Sequence, residues 1–139
     1  GCYMLVRVKC DNGLEGIGEG YYGNSASAIA AVIKDALAPD LIGQDATNVA
    51  GLYERMYRAG FYSGRVGIYF YALSAVEMAL WDIVGKAAGL PLYRLWGGGQ
   101  SRIRVYASTV QHGRSPQERA EDALLTETGP TVPCRPAWA

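Results

Sequence analysis

Few residues in this sequence have the type and spacing to do chemistry, and they fall in four places. Glu19 stands with Gly20, Tyr21, Tyr22 and Gly23, which sets a carboxylate beside two rings that each end in a hydroxyl. The plain alternative is a polar strand-end loop resting on helices. Arg65, in Gly64-Arg65-Val66-Gly67, immediately precedes a long apolar segment. A cation there could help hold an anionic group at a helix N-terminus, although a solvated arginine is the commoner case. Phe61 and Tyr62 share that neighbourhood. His112 is the 1 histidine in the chain, so no Ser/His/Asp set can be assembled around a second one. Asp82 and Lys86 are four apart and can pair on one helix face, with Trp81 beside them as a core residue.

Other patterns fall away on spacing. Gly16, Gly18 and Gly20 do not make G-x-G-x-x-G, because position 21 is Tyr21 and no helix starts at once. Asp11, Glu15 and Glu19 recur every four residues but flank a hairpin, so they do not converge as metal ligands. Glu121 and Asp122 read as a solvated helix face.

The elements that must position these residues follow from periodicity. Residues 2–10 alternate, with Met4, Val6, Val8 and Cys10 on one face and Arg7 and Lys9 on the other, as in a half-buried strand. Asp11-Asn12-Gly13 supplies a turn, and residues 14–19 return as the second strand. Gly16 and Gly18 in that strand predict a bulge or a close backbone approach. A helix follows, with Ser25 as cap and Ile29, Val32, Ile33, Ala36 and Leu37 as its apolar stripe. Pro39 is expected to end it. A second helix starts near residues 45–48, carries Val49, Leu52, Tyr53, Met56 and Tyr57, and closes at Gly60 as a C-terminal glycine.

The third helix, from about 66 to 88, is apolar almost all round, which predicts burial on every side. Gly89-Leu90-Pro91 stops it. Residues 92–96 make one short turn, and Gly97-Gly98-Gly99 breaks the chain. Residues 102–110 read as a strand. Ser115 and Glu118 form a capping box around Pro116 for a helix to about 125. Residues 126–139, with Pro130, Pro133 and Pro136, show no period.

The chain has 139 residues, far short of the roughly 250 of a complete TIM barrel. With 50% hydrophobic residues it can bury a core without staples. Lys+Arg and Asp+Glu both number 13, so no basic stripe exists for nucleic acid. Zero net charge favours association. The 3 cysteines, Cys2, Cys10 and Cys134, form no C-x-x-C pair, which argues against a disulfide framework or zinc site and for reduced thiols in the cytoplasm. No signal peptide is visible, and residues 66–80, which include Glu77, read as too short to span a bilayer.

Several segments, in this order, resemble the mandelate racemase/muconate lactonizing enzyme branch of the enolase superfamily. They are Val6-Arg7-Val8 through Asp11-Asn12-Gly13-Leu14-Glu15-Gly16-Ile17-Gly18-Glu19, then Leu37-Ala38-Pro39 and Leu41-Ile42-Gly43-Gln44-Asp45. The most specific is Ala79-Leu80-Trp81-Asp82-Ile83-Val84-Gly85-Lys86-Ala87, followed by Gly89-Leu90-Pro91-Leu92-Tyr93 and Leu95-Trp96-Gly97-Gly98. The resemblance implies an α+β capping domain over residues 1–97, a hairpin followed by a three-helix bundle. The first β–α unit of a barrel would follow over 98–125, and then an irregular tail.

It further implies a parent enzyme that binds Mg²⁺ through barrel carboxylates and removes the proton α to a hydroxy- or sugar-acid carboxylate. Racemisation, epimerisation or dehydration would follow, with sugar-acid dehydration the leading expectation. In that setting Glu19, Tyr21 and Tyr22, on the loop that closes over the barrel mouth, and Arg65, just before the long helix, would be the substrate-binding residues. His112 would follow the first barrel strand.

The departures from the family pattern weigh more than the matches. No lysine follows Lys86, so the family's Lys-x-Lys strand has no counterpart, and neither do the metal-ligand strands. Gly1-Cys2 starts after the family's first strand. The expectation is a trimmed capping domain without catalytic residues or metal of its own, binding neither nucleic acid nor membrane. Residues 126–139 would be a frameshift or gene-fragment tail; barrel strands encoded in another frame downstream would support this, and plain intergenic sequence would contradict it. The competing expectation is a non-enzymatic remnant that associates with itself through exposed apolar surface.

Overall fold

In a computed structural model the described residues are 4–21, 25–63, 66–99, 115–118 and 120. The chain divides into two compact units, Gly1–Trp96 and Gly97–Ala139. The first opens with two antiparallel strands, β1 (Met4–Lys9) and β2 (Glu15–Gly20), in the register Met4↔Gly20, Val6↔Gly18 and Val8↔Gly16. Val6 is buried, and Met4, Val8 and Cys10 pack against the core, so the alternating face is the one expected. Gly13 takes φ +87°, a conformation that glycine adopts without strain, and Leu14 N–H donates to Asn12 Oδ1 at 3.0 Å across the turn.

The first helical stretch departs from expectation. Ser25 stands at the N-cap of α1 (Ala26–Val32), but its side chain makes no cap hydrogen bond. Pro39 does not end the helix. A π turn at Ile33–Leu37 leads into α2 (Ala38–Leu41), with Pro39 in its first turn, where a missing N–H costs nothing. The Ala38 N–H donates to Ile33 O across the wider turn, and the chain becomes extended only at Ile42.

α3 (Val49–Ala59) is capped by Asn48, whose side chain accepts from Gly51 N–H. It buries Val49, Leu52 and Met56, the stripe read from the sequence. Gly60 follows with an ordinary negative φ of −77° and continues into a 3-10 turn, Gly60–Tyr62. Its reason is therefore steric and not conformational: a Cβ there would overlap the Tyr69 ring.

α4 (Ile68–Ala88) is the spine of the fold. The hairpin packs along one side, and α1 and α3 along another. Leu73, Val76, Leu80 and Ile83 are buried between them, each contributing about 1.5–3 kcal/mol of burial. Burial on every side does not hold. Tyr71, Ser74 and Met78 face outward, and Trp81 is only half-buried, meeting Trp96 edge-on at 5.3 Å. Two packed layers cover only part of a helix circumference, so an apolar third face is left over. With 21 residues α4 is also long and apolar enough, by length and composition, to cross a membrane, which corrects the expectation drawn from 66–80 alone; half of it is buried inside this fold.

The stop is as expected. Gly89 takes φ +63°, Leu90 N–H donates to Gly85 O at 3.0 Å, and Gly89 N–H to Lys86 O at 3.2 Å. α5 (Leu92–Leu95) is the short turn that follows. In the second unit the capping box is present: Ser115 N–H donates to Glu118 Oε2 at 2.8 Å, and Glu118 N–H to Ser115 Oγ at 3.3 Å. The expected strand at 102–110 and the tail at 126–139 lie outside the described residues.

Candidate functional site

The candidate site lies at the end of β2. Glycines at Gly16 and Gly18 let the strand lie directly on α4, because a Cβ at Gly16 would collide with the Ala79 carbonyl and one at Gly18 with the Ala75 carbonyl. The close backbone approach is thus the correct alternative, and the unbroken register excludes a bulge between β1 and β2. The even positions face the helix. Glu19 therefore lies on the outward face, opposite Leu5, and is exposed. Tyr21 leaves the strand 62% exposed, and its ring meets the Tyr71 ring at 4.8 Å, tilted by 44°. Tyr22, Arg65 and His112 lie outside the described residues.

Tyr71 is the residue that sequence reasoning missed. It read as one more apolar position of a buried helix. Phe61 and Tyr62 meet edge-on at 5.3 Å, with Tyr62 96% exposed.

Asp82 and Lys86 do pair, at 2.8 Å, and do more. The same carboxylate oxygen of Asp82 accepts the Ile17 N–H at 2.8 Å, and Lys86 Nζ donates to the Glu15 carbonyl at 2.7 Å. The pair thus closes on two backbone groups of β2. Spacing within the helix shows only the pair, since the strand partners lie 65 and 71 residues away.

Electrostatics around the hairpin are local. A hydrogen bond from Lys9 holds Glu15 below its ordinary value of 4.5, with the charges of Lys9, Arg7 and Lys86 adding to it. Asp45 is held below 3.8 by the Thr47 hydroxyl and backbone N–H, which shapes the turn before α3. A cleft of about 720 Å³ opens elsewhere, between β1 and the 38–47 segment, with Val6, Leu41, Leu52 and Leu80 on its walls. Neither Glu19 nor Tyr21 lines it. Among the described residues no group of three or more His, Cys, Asp or Glu could hold a metal ion.

This hairpin-and-helices arrangement matches a known family. The model of the mandelate racemase / muconate lactonizing enzyme N-terminal domain matches residues 1–97, and the chain belongs to that family. The chain is 44% identical over 105 residues to a D-galactonate dehydratase of Verminephrobacter eiseniae, covering 75% of this chain and 27% of the relative. It is 38% identical over 120 residues to a D-mannonate dehydratase of Rhizorhabdus wittichii, covering 86% and 29%. A racemase from Streptomyces coelicolor A3(2), solved with bound magnesium, superposes with a TM-score of 0.82 at 31% identity, covering 88% of this chain and 37% of that one. The chain therefore spans about a third of the length of the relatives it matches. The described residues do not themselves fit a magnesium site.

Proposed function

We propose that this chain is the capping part of a magnesium-dependent enolase-superfamily enzyme that removes the proton α to the carboxylate of a sugar acid, with dehydration as the outcome. The identity to D-galactonate and D-mannonate dehydratases carries the substrate class. The chain's own contribution is cover and selection. Tyr21 offers a ring and hydroxyl, backed by Tyr71, and Glu19 offers an acceptor for substrate hydroxyls. Tyr22 and Arg65 complete the proposed set, Arg65 as a cation for the carboxylate. Proton abstraction needs a placed base and a metal, which this proposal assigns to the remaining two-thirds of the relatives' length. The test is a chimera in which this chain's residues 1–96 replace the matching part of the V. eiseniae enzyme. We expect Mg²⁺-dependent dehydration of D-galactonate or D-mannonate by the chimera and none by the 139-residue chain alone. A folded chimera without turnover, or turnover by the isolated chain, contradicts the proposal.

A second reading rests on a separate observation. Tyr62 and Val66 are 96% and 82% exposed, and Phe61 beside Tyr62 is exposed as well. We infer that the isolated chain associates through this apolar surface. Sedimentation velocity checks it: mass rising with concentration is expected, and a clean monomer across the range rules it out.

A further inference from the structure

The two edges of the hairpin are unlike. The Ile17 N–H and the Glu15 carbonyl turn away from β1, to Asp82 and Lys86, so side chains of α4 cover backbone groups of the β2 edge. The same direction fixes the parity of the ladder. In an antiparallel pair, a residue that turns its backbone away stands opposite one that does the same. Arg7 faces Ile17, Lys9 faces Glu15 and Leu5 faces Glu19, so the N–H and C=O groups of Leu5, Arg7 and Lys9 point out from the other edge of β1. The Cys10 N–H donates to the Leu14 carbonyl, in keeping with that alternation. The sheet has 2 strands, and among the described residues no further strand covers the β1 edge. That edge runs along the cleft of about 720 Å³, which Val76, Leu80, Ile83 and Ala87 line as one stripe of α4. The stripe is about 16 Å long at 1.5 Å per helical residue, the span of about five strand residues. On the solvent side of β1, Arg7 and Lys9 share the single Glu15 carboxylate at 3.7 and 3.0 Å, which leaves one cation in excess.

We propose that the β1 edge and its cleft bind an added strand: an extended polypeptide segment from outside residues 1–139, apolar on alternate residues and acidic on those between. Each part of that description has its own cause. The outward N–H and C=O groups of Leu5, Arg7 and Lys9 supply the main-chain hydrogen bonds of strand addition. The apolar stripe of α4, with Leu41 and Leu52 on the cleft walls, receives every second side chain. The residues between lie on the solvent side with Arg7 and Lys9, where an acidic side chain directly opposite is favourable. Past the end of β1 the charge reverses at Asp11, so a base belongs at that end of the segment. A second copy of this chain fits less well. Pairing Leu5–Lys9 with its own copy sets Arg7 opposite Arg7, which like charge disfavours, and the apolar side of β1 is already packed on its own core. The proposal uses no part of the Glu19–Tyr21 end and stands apart from the capping function.

The experiment titrates the 139-residue chain into a fluorescein-labelled peptide, Lys-Val-Glu-Ile-Glu-Val-Thr-Val with an amidated C-terminus, and follows fluorescence anisotropy. Run antiparallel to β1, the peptide sets its two glutamates opposite Lys9 and Arg7 and its lysine opposite Asp11, with the N–H groups of both glutamates facing β1. Saturable binding is expected. Methylating the backbone nitrogens of the two glutamates should weaken it roughly tenfold or more, since two hydrogen bonds are lost. Methylating those of the isoleucine and the second valine, which face away from β1, should leave it within roughly threefold. Exchanging glutamate for lysine and lysine for glutamate throughout should also weaken it roughly tenfold at low salt. On the isotope-labelled chain the peptide should slow amide exchange at Leu5, Arg7 and Lys9. No saturation up to about 1 mM peptide overturns the proposal. Equal losses from the two methylation patterns overturn it as well, since the cleft would then take apolar side chains without strand pairing. So does protection of the same three amides that rises with chain concentration when no peptide is present, which would assign the edge to a second copy. No substrate or metal enters the measurement, so its failure is distinct from failure of the capping proposal.

Discussion

The Tyr69 hydroxyl donates a 2.7 Å hydrogen bond to the Met56 carbonyl. This joins the first turn of α4 to the last turn of α3, where the Met56 carbonyl also accepts the Gly60 N–H. The ring lies over Gly60, whose missing Cβ makes the room. Tyr69 is only 6% exposed, so ring and hydroxyl are both inside the fold.

Two substitutions separate packing from hydrogen bonding at this joint. Tyr69→Phe keeps the ring and loses one buried hydrogen bond, a cost of about 1 kcal/mol. Gly60→Ala drives a methyl into that ring and should cost about 2–3 kcal/mol. Urea denaturation of both variants checks the order. Equal or reversed losses would mean that the ring is not seated on Gly60.

The same tyrosine predicts an alkaline limit. Burial, and then the charge of Asp40, push its ionisation above the ordinary 10.0. A group whose folded pKa is raised contributes stability that is complete below the unfolded value and lost as pH rises through the folded one. Stability should therefore fall from about pH 10 upward, and Tyr69→Phe should flatten that limb relative to the parent chain. Melting temperatures from pH 8 to 11 decide it, since the other tyrosines are common to both proteins.

On the acid side the group to follow is Glu15. The hydrogen bond from Lys9 lowers its pKa below 4.5. A depressed carboxylate contributes stability that is present above its unfolded pKa and lost as pH falls through the folded value. The loss should thus begin near pH 4.5 and continue below it. Glu15→Gln should show a shallower decline over that range. An identical slope in both proteins would remove Glu15 from the explanation.

Glycines of different kinds should respond differently. Gly18→Ala sets a methyl against the Ala75 carbonyl, a backbone atom that cannot swing aside, and should cost about 3 kcal/mol or more. Gly43 has φ +76° and open space around a notional Cβ, so Gly43→Ala meets only backbone strain, about 1 kcal/mol. Thermal melts of the two variants give the comparison. A smaller loss at Gly18 than at Gly43 would mean that β2 does not lie on α4.

What the sequence made legible follows from the range of each cause. Alternation over 4–10, the Asn48–Ala59 stripe, the Gly89 stop and the Ser115–Glu118 box are set by residues a few positions apart, and each is found where expected. Pro39 misled because the π turn before it releases the hydrogen bond that a proline would otherwise break. α4 misled because hydropathy shows that a helix is apolar and not how many neighbours will cover it. The strand-end position of Glu19 and Tyr21 was legible from residue type and order. Tyr71 and the hold of Asp82 and Lys86 on β2 were not, since both depend on partners dozens of residues away.

The central claim is that this chain shapes substrate binding for chemistry carried out elsewhere in a dehydratase. Its most direct test is the split between kcat and KM when Tyr21→Ala is made in the chimera with the V. eiseniae enzyme, assayed on D-galactonate and D-mannonate with Mg²⁺. Loss of one ring-and-hydroxyl contact should raise KM about tenfold, with kcat within about threefold of the parent chimera. Unchanged KM in a folded, active chimera would contradict the claim.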